Sequence, residues 1–159
     1  MRVVFLSIGE TQEAYLKQGM AIYESRLKHY CSFSRRELHS LKLQSSLSQA
    51  QIREQEGLAL LKCIGPKDEV ILLDERGVQS SSSDWAAQIE QKMVRGVSSM
   101  VFVVGGAYGF SEAMYARANE LRSLSSLTFS HQMVRLIFME QLYRCFSIIR
   151  KEPYHHVSA

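Results

Sequence analysis

The hydrophobic period of this chain switches repeatedly between that of a strand and that of a helix, and the alternation leaves few folds open. Arg2 to Ile8, RVVFLSI, is a β-branched and aromatic run closed by Gly9, the pattern of a buried strand. Leu16, Met20, Tyr23, Leu27 and Tyr30 then recur at steps of four, three, four and three, which predicts a helix from about Gln12 to His29 with one apolar face. A second strand is expected within Phe33 to Leu43, and the helix formers from Leu47 to Ile64 stop at Gly65-Pro66. EVILLD at Glu69 to Asp74 reads as a third strand. A cap at Ser81 opens a helix to about Arg95, Met100 to Val104 is a fourth strand, and Ser111 caps a helix running to Arg122. Strand and helix in alternation predict a three-layer α/β domain with a mostly parallel sheet. In such sheets ligands gather where strands end, so the loops after Asp74 and Val104 are the places to look.

The 159 residues, 46% of them hydrophobic, suit one domain spanning 1–159. A net charge of +3 is too small to establish nucleic-acid binding. Cys31, Cys63 and Cys145 are far apart without a C-x-x-C pair, as expected of reduced thiols in a cytosolic protein. No apolar run approaches the ~20 residues of a membrane span, and no signal peptide is apparent, so a soluble, cytoplasmic protein is expected.

After the fourth strand the chain reads VFVVGGAYGF. Gly105-Gly106-Ala107-Tyr108-Gly109 bares backbone either for a tight turn or for a flat ligand such as an adenine, a ribose or a phosphate. The spacing is neither G-x-G-x-x-G nor a P-loop, which counts against nucleotide hydrolysis. Ser123 to Ser130 mixes hydroxyls with Leu124, Leu127 and Phe129 and suits a small amphiphilic ligand. From His131 to Arg150 there is neither Gly nor Pro, and apolar residues spread over more than one stripe. Either a second subunit covers that helix or it lies wholly inside the fold.

GGAYGF, SLSSLTFSHQMVR and EQLYRCFSIIRKEPYHH, together with LDERG at Leu73 to Gly77, closely resemble the RlmH family of small SPOUT-superfamily methyltransferases over the whole chain. The resemblance implies a homodimer that transfers a methyl group from S-adenosylmethionine to N3 of a pseudouridine in large-subunit ribosomal RNA, with the assembled ribosome as substrate. It also implies a C-terminal trefoil knot that holds the cofactor beside the dimer interface. Carried over by position, cofactor contacts fall on Leu73, Gly105, Gly106, Ser125, Ser126, Leu127, Thr128, Phe129 and Ser130. Ser130 stands where many relatives have Pro, and the tail runs past the usual end with His156, Val157, Ser158 and Ala159.

Such a transfer depends chiefly on alignment, helped by a base or acceptor near the target nitrogen. Tyr154 and His155 are the candidates, and Arg135, near the start of the long helix and able to reach a phosphate, is set with them as catalytic. His131 is better read as structural. Arg144, Arg150 and Lys151 are the expected RNA contacts, with Lys28, His29, Arg35 and Arg36 as a second basic cluster. Adjacent His155 and His156 lack further ligands at usable spacing, so no metal is expected. The rival readings are a ribosome-binding module without catalysis and an α/β enzyme acting on small molecules.

Overall fold

The computed structural model describes residues 1–41 and 46–154. Ten elements follow in order: β1 (Arg2–Ile8), α1 (Ala14–Leu27), β2 (Ser32–Leu38), α2 (Gln49–Leu61), β3 (Glu69–Val78), α3 (Ser82–Val94), β4 (Ser99–Val104), α4 (Glu112–Arg117), β5 (Glu120–Arg122) and α5 (Met133–Ile149). The five strands form one sheet in the order β2-β1-β4-β3-β5, parallel throughout. Alternate strand residues point to opposite faces, and each face has its own core. Val3, Phe5, Ile71, Met100 and Phe102 meet Met20, Trp85, Phe138 and Leu142 on the side of α1, α3 and α5. Val4, Leu6, Val70, Leu72, Val101 and Val103 meet Leu60, Phe110 and Met114 on the side of α2 and α4. These are the three layers expected from the alternation of periods.

Phe138 anchors α5, its ring 4.6 Å from Phe5 and 4.9 Å from Phe102. Burying one such side chain contributes about 1.5–3 kcal/mol. Caps fix where α2, α3 and α4 start. Ser81 Oγ accepts from Asp84 N at 3.1 Å, and Ser111 Oγ from Met114 N at 3.3 Å. Ser48 and Gln51 complete a reciprocal capping box on α2.

One expected element divides in two. The helix predicted from Ser111 to Arg122 ends at Arg117, and Glu120–Arg122 is a strand. The cause lies at Asn119, whose N–H donates to Val70 O at 2.9 Å while its Oδ1 accepts from Val70 N at 2.8 Å. Those bonds draw the chain onto the free edge of β3, where a ladder replaces helical hydrogen bonds that a short surface helix holds only weakly. The second strand also stops at Leu38, short of the expected limit, and residues 42 and 43 of that expectation lie outside the described residues.

β5 meets β3 in an unusual way, since Arg122 pairs with both Leu73 and Val78, the residues between them arching away. A Cβ on Gly77 would overlap the backbone of Arg122, so this crossing requires glycine.

Candidate functional site

The carboxyl ends of β3, β4 and β5 lie side by side, and the loops leaving them enclose a cleft of about 720 Å³. Its lining comes from Leu73 to Arg76, from Val104 to Phe110, from Ser123 to Phe129 and from Arg53 on α2. Of the expected cofactor contacts, Leu73, Gly105, Gly106, Ser125, Leu127, Thr128 and Phe129 meet here, whereas Ser126 and Ser130 do not line it. Ser130 instead accepts from Met133 N at 3.1 Å and opens α5. Ser125 Oγ accepts from Leu127 N at 2.9 Å, a turn that leaves Leu127 72% exposed. A large apolar side chain presented to a cleft is a surface for a ligand to cover.

The glycines are needed from behind as well as in front. A side chain on Gly106 would meet Glu56 Oε2 and Ile8, and one on Gly105 would press on Phe110. Glu56 is only 3% exposed; its Oε1 accepts from Leu41 N at 3.0 Å, and its Oε2 has no partner among the described residues. Gly106 therefore lets the loop sit on a buried carboxylate, a reason that the sequence reading, which weighed a tight turn against a ligand in front, did not contain.

At the mouth, Asp74 Oδ2 accepts from Tyr115 OH at 2.6 Å and Oδ1 from Arg76 N at 2.8 Å. Arg76 also donates to Tyr115 OH and lies 4.7 Å above that ring. Burial alone would raise the Asp74 carboxyl, but the Tyr115 hydroxyl and the Arg76 amide and guanidinium outweigh it and hold the pKa below its ordinary value. Tyr115 is pushed up, first by burial and then by Asp74, so it stays a hydrogen-bond donor.

Arg135 does not join this site. The side chain is 0% exposed. Its guanidinium donates to Ile8 O at 2.7 Å, Gly9 O at 2.8 Å, Thr11 Oγ1 at 3.1 Å and His131 O at 3.0 Å. It staples the start of α5 to the end of β1 and cannot meet a phosphate in this arrangement, which corrects the expected catalytic role. The apolar residues crowded around it gave no warning, because an arginine one turn inside a helix reads as surface.

Tyr154 also lies away from the cleft. Its hydroxyl donates to Glu140 Oε1 at 3.1 Å and stands 3.4 Å from Tyr23 OH, and its ring meets Tyr143 at 4.7 Å. Burial, then Tyr23 and Glu140, push its pKa up, so near neutrality it donates and is not a base. Arg144 donates to the same Glu140 oxygen at 2.7 Å and lies 5.0 Å above the Tyr154 ring. Arg150 lines a smaller cleft of about 290 Å³ with Arg26, His29, Tyr30, Tyr143 and Glu152. Lys151 is exposed just past α5, and His155 lies outside the described residues. In the second basic cluster, Lys28 and Arg35 both pair with Glu24, at 3.0 and 3.3 Å. His131 lines the cleft, as the sequence did not foresee, and Arg53, Glu56 and the Asp74–Tyr115 pair were likewise missed. Their approach depends on how α2 and α4 dock, which no local pattern records.

Among the described residues, no cluster of three His, Cys, Asp or Glu is arranged to hold a metal ion. No helix there is long and apolar enough to cross a membrane.

Comparison with known proteins agrees with the motifs. The family described as "Predicted SPOUT methyltransferase" matches residues 1–155. Proteins named ribosomal RNA large subunit methyltransferase H are similar along nearly their whole length. That of Parabacteroides distasonis is 45% identical over 156 residues, 98% of this chain and 99% of its own. Those of Christiangramia forsetii, at 44% with the same coverage, and Cytophaga hutchinsonii, at 42% over 98% of this chain and all of its own, are close behind. With its motifs, its parallel sheet and these matches in accord, the chain belongs to the SPOUT methyltransferase family.

Proposed function

We propose that the protein uses S-adenosylmethionine to methylate N3 of a pseudouridine in large-subunit ribosomal RNA, acting as a homodimer on the assembled ribosome in the cytoplasm. The observation that carries this reading is the convergence of Leu73, the glycine loop and the segment from Ser123 to Phe129 on one cleft. Its chemistry fits an adenosine: backbone groups and small or apolar side chains, with exposed Leu127 on one side. When bound, S-adenosylmethionine supplies an electrophilic methyl carbon. The chain's part is positioning: strand ends fix the three loops, Glu56 supports the glycine loop from below, and the Asp74–Tyr115–Arg76 network holds the mouth.

The C-terminal trefoil knot belongs to the same proposal. Arg122 pairing with both ends of the arch from Leu73 to Val78 is consistent with chain passing through that arch. The dimer is supported by α1, where Tyr15 and Ile22 are 58% and 52% exposed, seven residues apart on the face that carries Gly19. Gly19 packs against Leu136 of α5, so the exposed apolar strip continues toward the partly buried Met133 and Ile137. Because Tyr154 is turned away from the cleft of its own chain, its place in the reaction is beside the partner's cleft. There Tyr154 orients the target base, His155 accepts its proton, and Arg144, Arg150 and Lys151 hold phosphate.

Two measurements test this function. Calorimetry should find S-adenosylmethionine binding, and labelled methyl should enter ribosomal RNA in assembled particles but not free nucleosides. Absence of donor binding would leave a ribosome-binding module, and transfer to a free nucleoside would point to a small-molecule enzyme.

A further inference from the structure

Three arginines line the cleft, and their surroundings differ. Arg122 is 3% exposed, donates to Glu120 at 2.9 Å and to Ser80 at 2.7 Å, and lies 4.9 Å above the Trp85 ring. Arg76 is engaged by Asp74 and Tyr115. Arg53 is half-buried on α2 and makes no hydrogen bond or ion pair among the described residues. A guanidinium so placed has lost part of its hydration without a hydrogen bond in return.

Its position relative to the glycine loop is fixed by the helix. Glu56 comes three residues later, on the same face and about 4.5 Å further along the axis, and its Oε2 stands where a side chain on Gly106 would go. Arg53 therefore stands one turn from the Gly106–Gly109 turn, which itself lines the cleft. The residues proposed to hold the nucleoside are uncharged; the carboxylates of Asp74, Glu75 and Glu112 and the paired Arg76 and Arg122 also line the cleft, and Arg53, beside the glycine turn, is its one arginine with no hydrogen bond or ion pair among the described residues.

We propose that Arg53 is the anion subsite of this cleft and receives the α-carboxylate of the amino-acid arm of S-adenosylmethionine. The proposal rests on the function given above. Arginine suits the task, since its planar fork pairs with both oxygens of a carboxylate. An RNA phosphate is the other anion that could come here. Half-burial within the cleft favours the small carboxylate, because phosphate contacts that position a duplex or loop come from cations standing out toward the polyanion.

The test compares two nucleosides that differ only in the amino-acid arm. S-adenosylhomocysteine carries the carboxylate and 5′-methylthioadenosine lacks it. By calorimetry, Arg53→Gln should weaken S-adenosylhomocysteine by about tenfold or more and leave 5′-methylthioadenosine unchanged, with Arg53→Lys recovering part of the loss. Circular dichroism and the thermal midpoint should match the parent, since Arg53 makes no hydrogen bond or ion pair among the described residues. Parental affinity of Arg53→Gln for both nucleosides would overturn the subsite; if that variant also failed to methylate ribosomes at saturating donor, Arg53 would be an RNA contact. Equal weakening of both nucleosides would overturn it too, as a change in cleft shape. If the parent protein bound neither nucleoside, the proposed function would fall and the subsite with it, an outcome distinct from the other two.

Discussion

Around the cleft, loops leaving three adjacent strands meet Arg53 of α2, whereas the tail from Lys151 to Tyr154 lies against α1 and α5, where Tyr154 contacts Tyr23, Tyr143 and Glu140. The walls described for the cleft come from loops of one chain at the ends of its strands and from Arg53 on α2. The tail has an anchorage of hydroxyls and rings, Tyr23, Tyr143 and Glu140, and its Glu152 lines the smaller cleft beside Arg150. On the proposed function the difference separates two jobs: the strand ends would bind the donor, and the tail would handle the target base at the cleft of a second subunit.

The largest effect should come from removing the tail. Deleting everything after Glu152 is expected to abolish labelled methyl incorporation into ribosomes while donor affinity stays at the parental level. Mixing that truncated protein with a full-length Gly106→Val variant sharpens the test. If tails serve the partner's cleft, mixed dimers pair an intact cleft with an intact tail and activity returns. Full activity of the truncated protein alone would remove the tail from the reaction.

Next comes a contrast between two arginines nine positions apart on α5. Arg135→Met deletes a fully buried guanidinium and leaves the carbonyls of Ile8, Gly9 and His131 without their donor. A loss of about 3–5 kcal/mol of unfolding free energy is expected in urea titrations. Arg144→Met breaks an i,i+4 pair with Glu140 whose side chains are 28% and 21% exposed, and should lose less than about 1 kcal/mol. Similar losses for both would mean that Arg135 is not the staple described above.

Those two arginines also mark the limit of what the sequence discloses. The layers, the parallel sheet and nearly all element positions were legible, because strand and helix periods are local properties. So were two segments of the cleft, the glycines after β4 and the hydroxyl-rich run from Ser123, which read as loops suited to a small ligand. Arg135 and Arg144 look alike in one dimension, and only the docking of α5 against the end of β1 makes one of them core. The strand at Glu120 was hidden for a related reason: its helix-forming residues are overruled by Val70, some fifty positions away in the chain. Arg53 and Glu56 carried no signal, since two charges three apart on a helix ordinarily mark a solvated face.

A smaller effect tests what the glycine loop rests on. Gly106→Ala puts a methyl group against Glu56 and Ile8, an overpacking expected to cost about 1–3 kcal/mol and to weaken donor binding by shifting the loop. In the double variant with Glu56→Ala the clash is relieved, so the two losses should fall short of additivity by more than about 0.5 kcal/mol. Simple additivity, with donor binding lost in full, would return Gly106 to the role of a position that meets only the ligand.

The smallest expected effect lies at the joint between helix and tail. Lys151 is the one non-glycine residue with positive φ among those described, at 57°, and it directs the chain from α5 toward Tyr30 and Tyr154. A left-handed residue just past a helix is usually glycine, because a Cβ crowds the following carbonyl. Lys151→Gly should raise stability by about 0.5–1 kcal/mol, roughly 2–4 °C in thermal midpoint per kcal/mol for a chain of this size. The same change removes the charge assigned to RNA and loosens the tail, so methyl transfer should fall while donor affinity holds. Lys151→Asn, which tolerates the left-handed region yet lacks the charge, separates the two causes. If transfer falls equally in both variants, the ammonium matters; if it falls only with glycine, the tail's exit direction does. A Lys151→Gly protein less stable than its parent would mean that the left-handed turn carries no strain and that the side chain of Lys151 supports the fold.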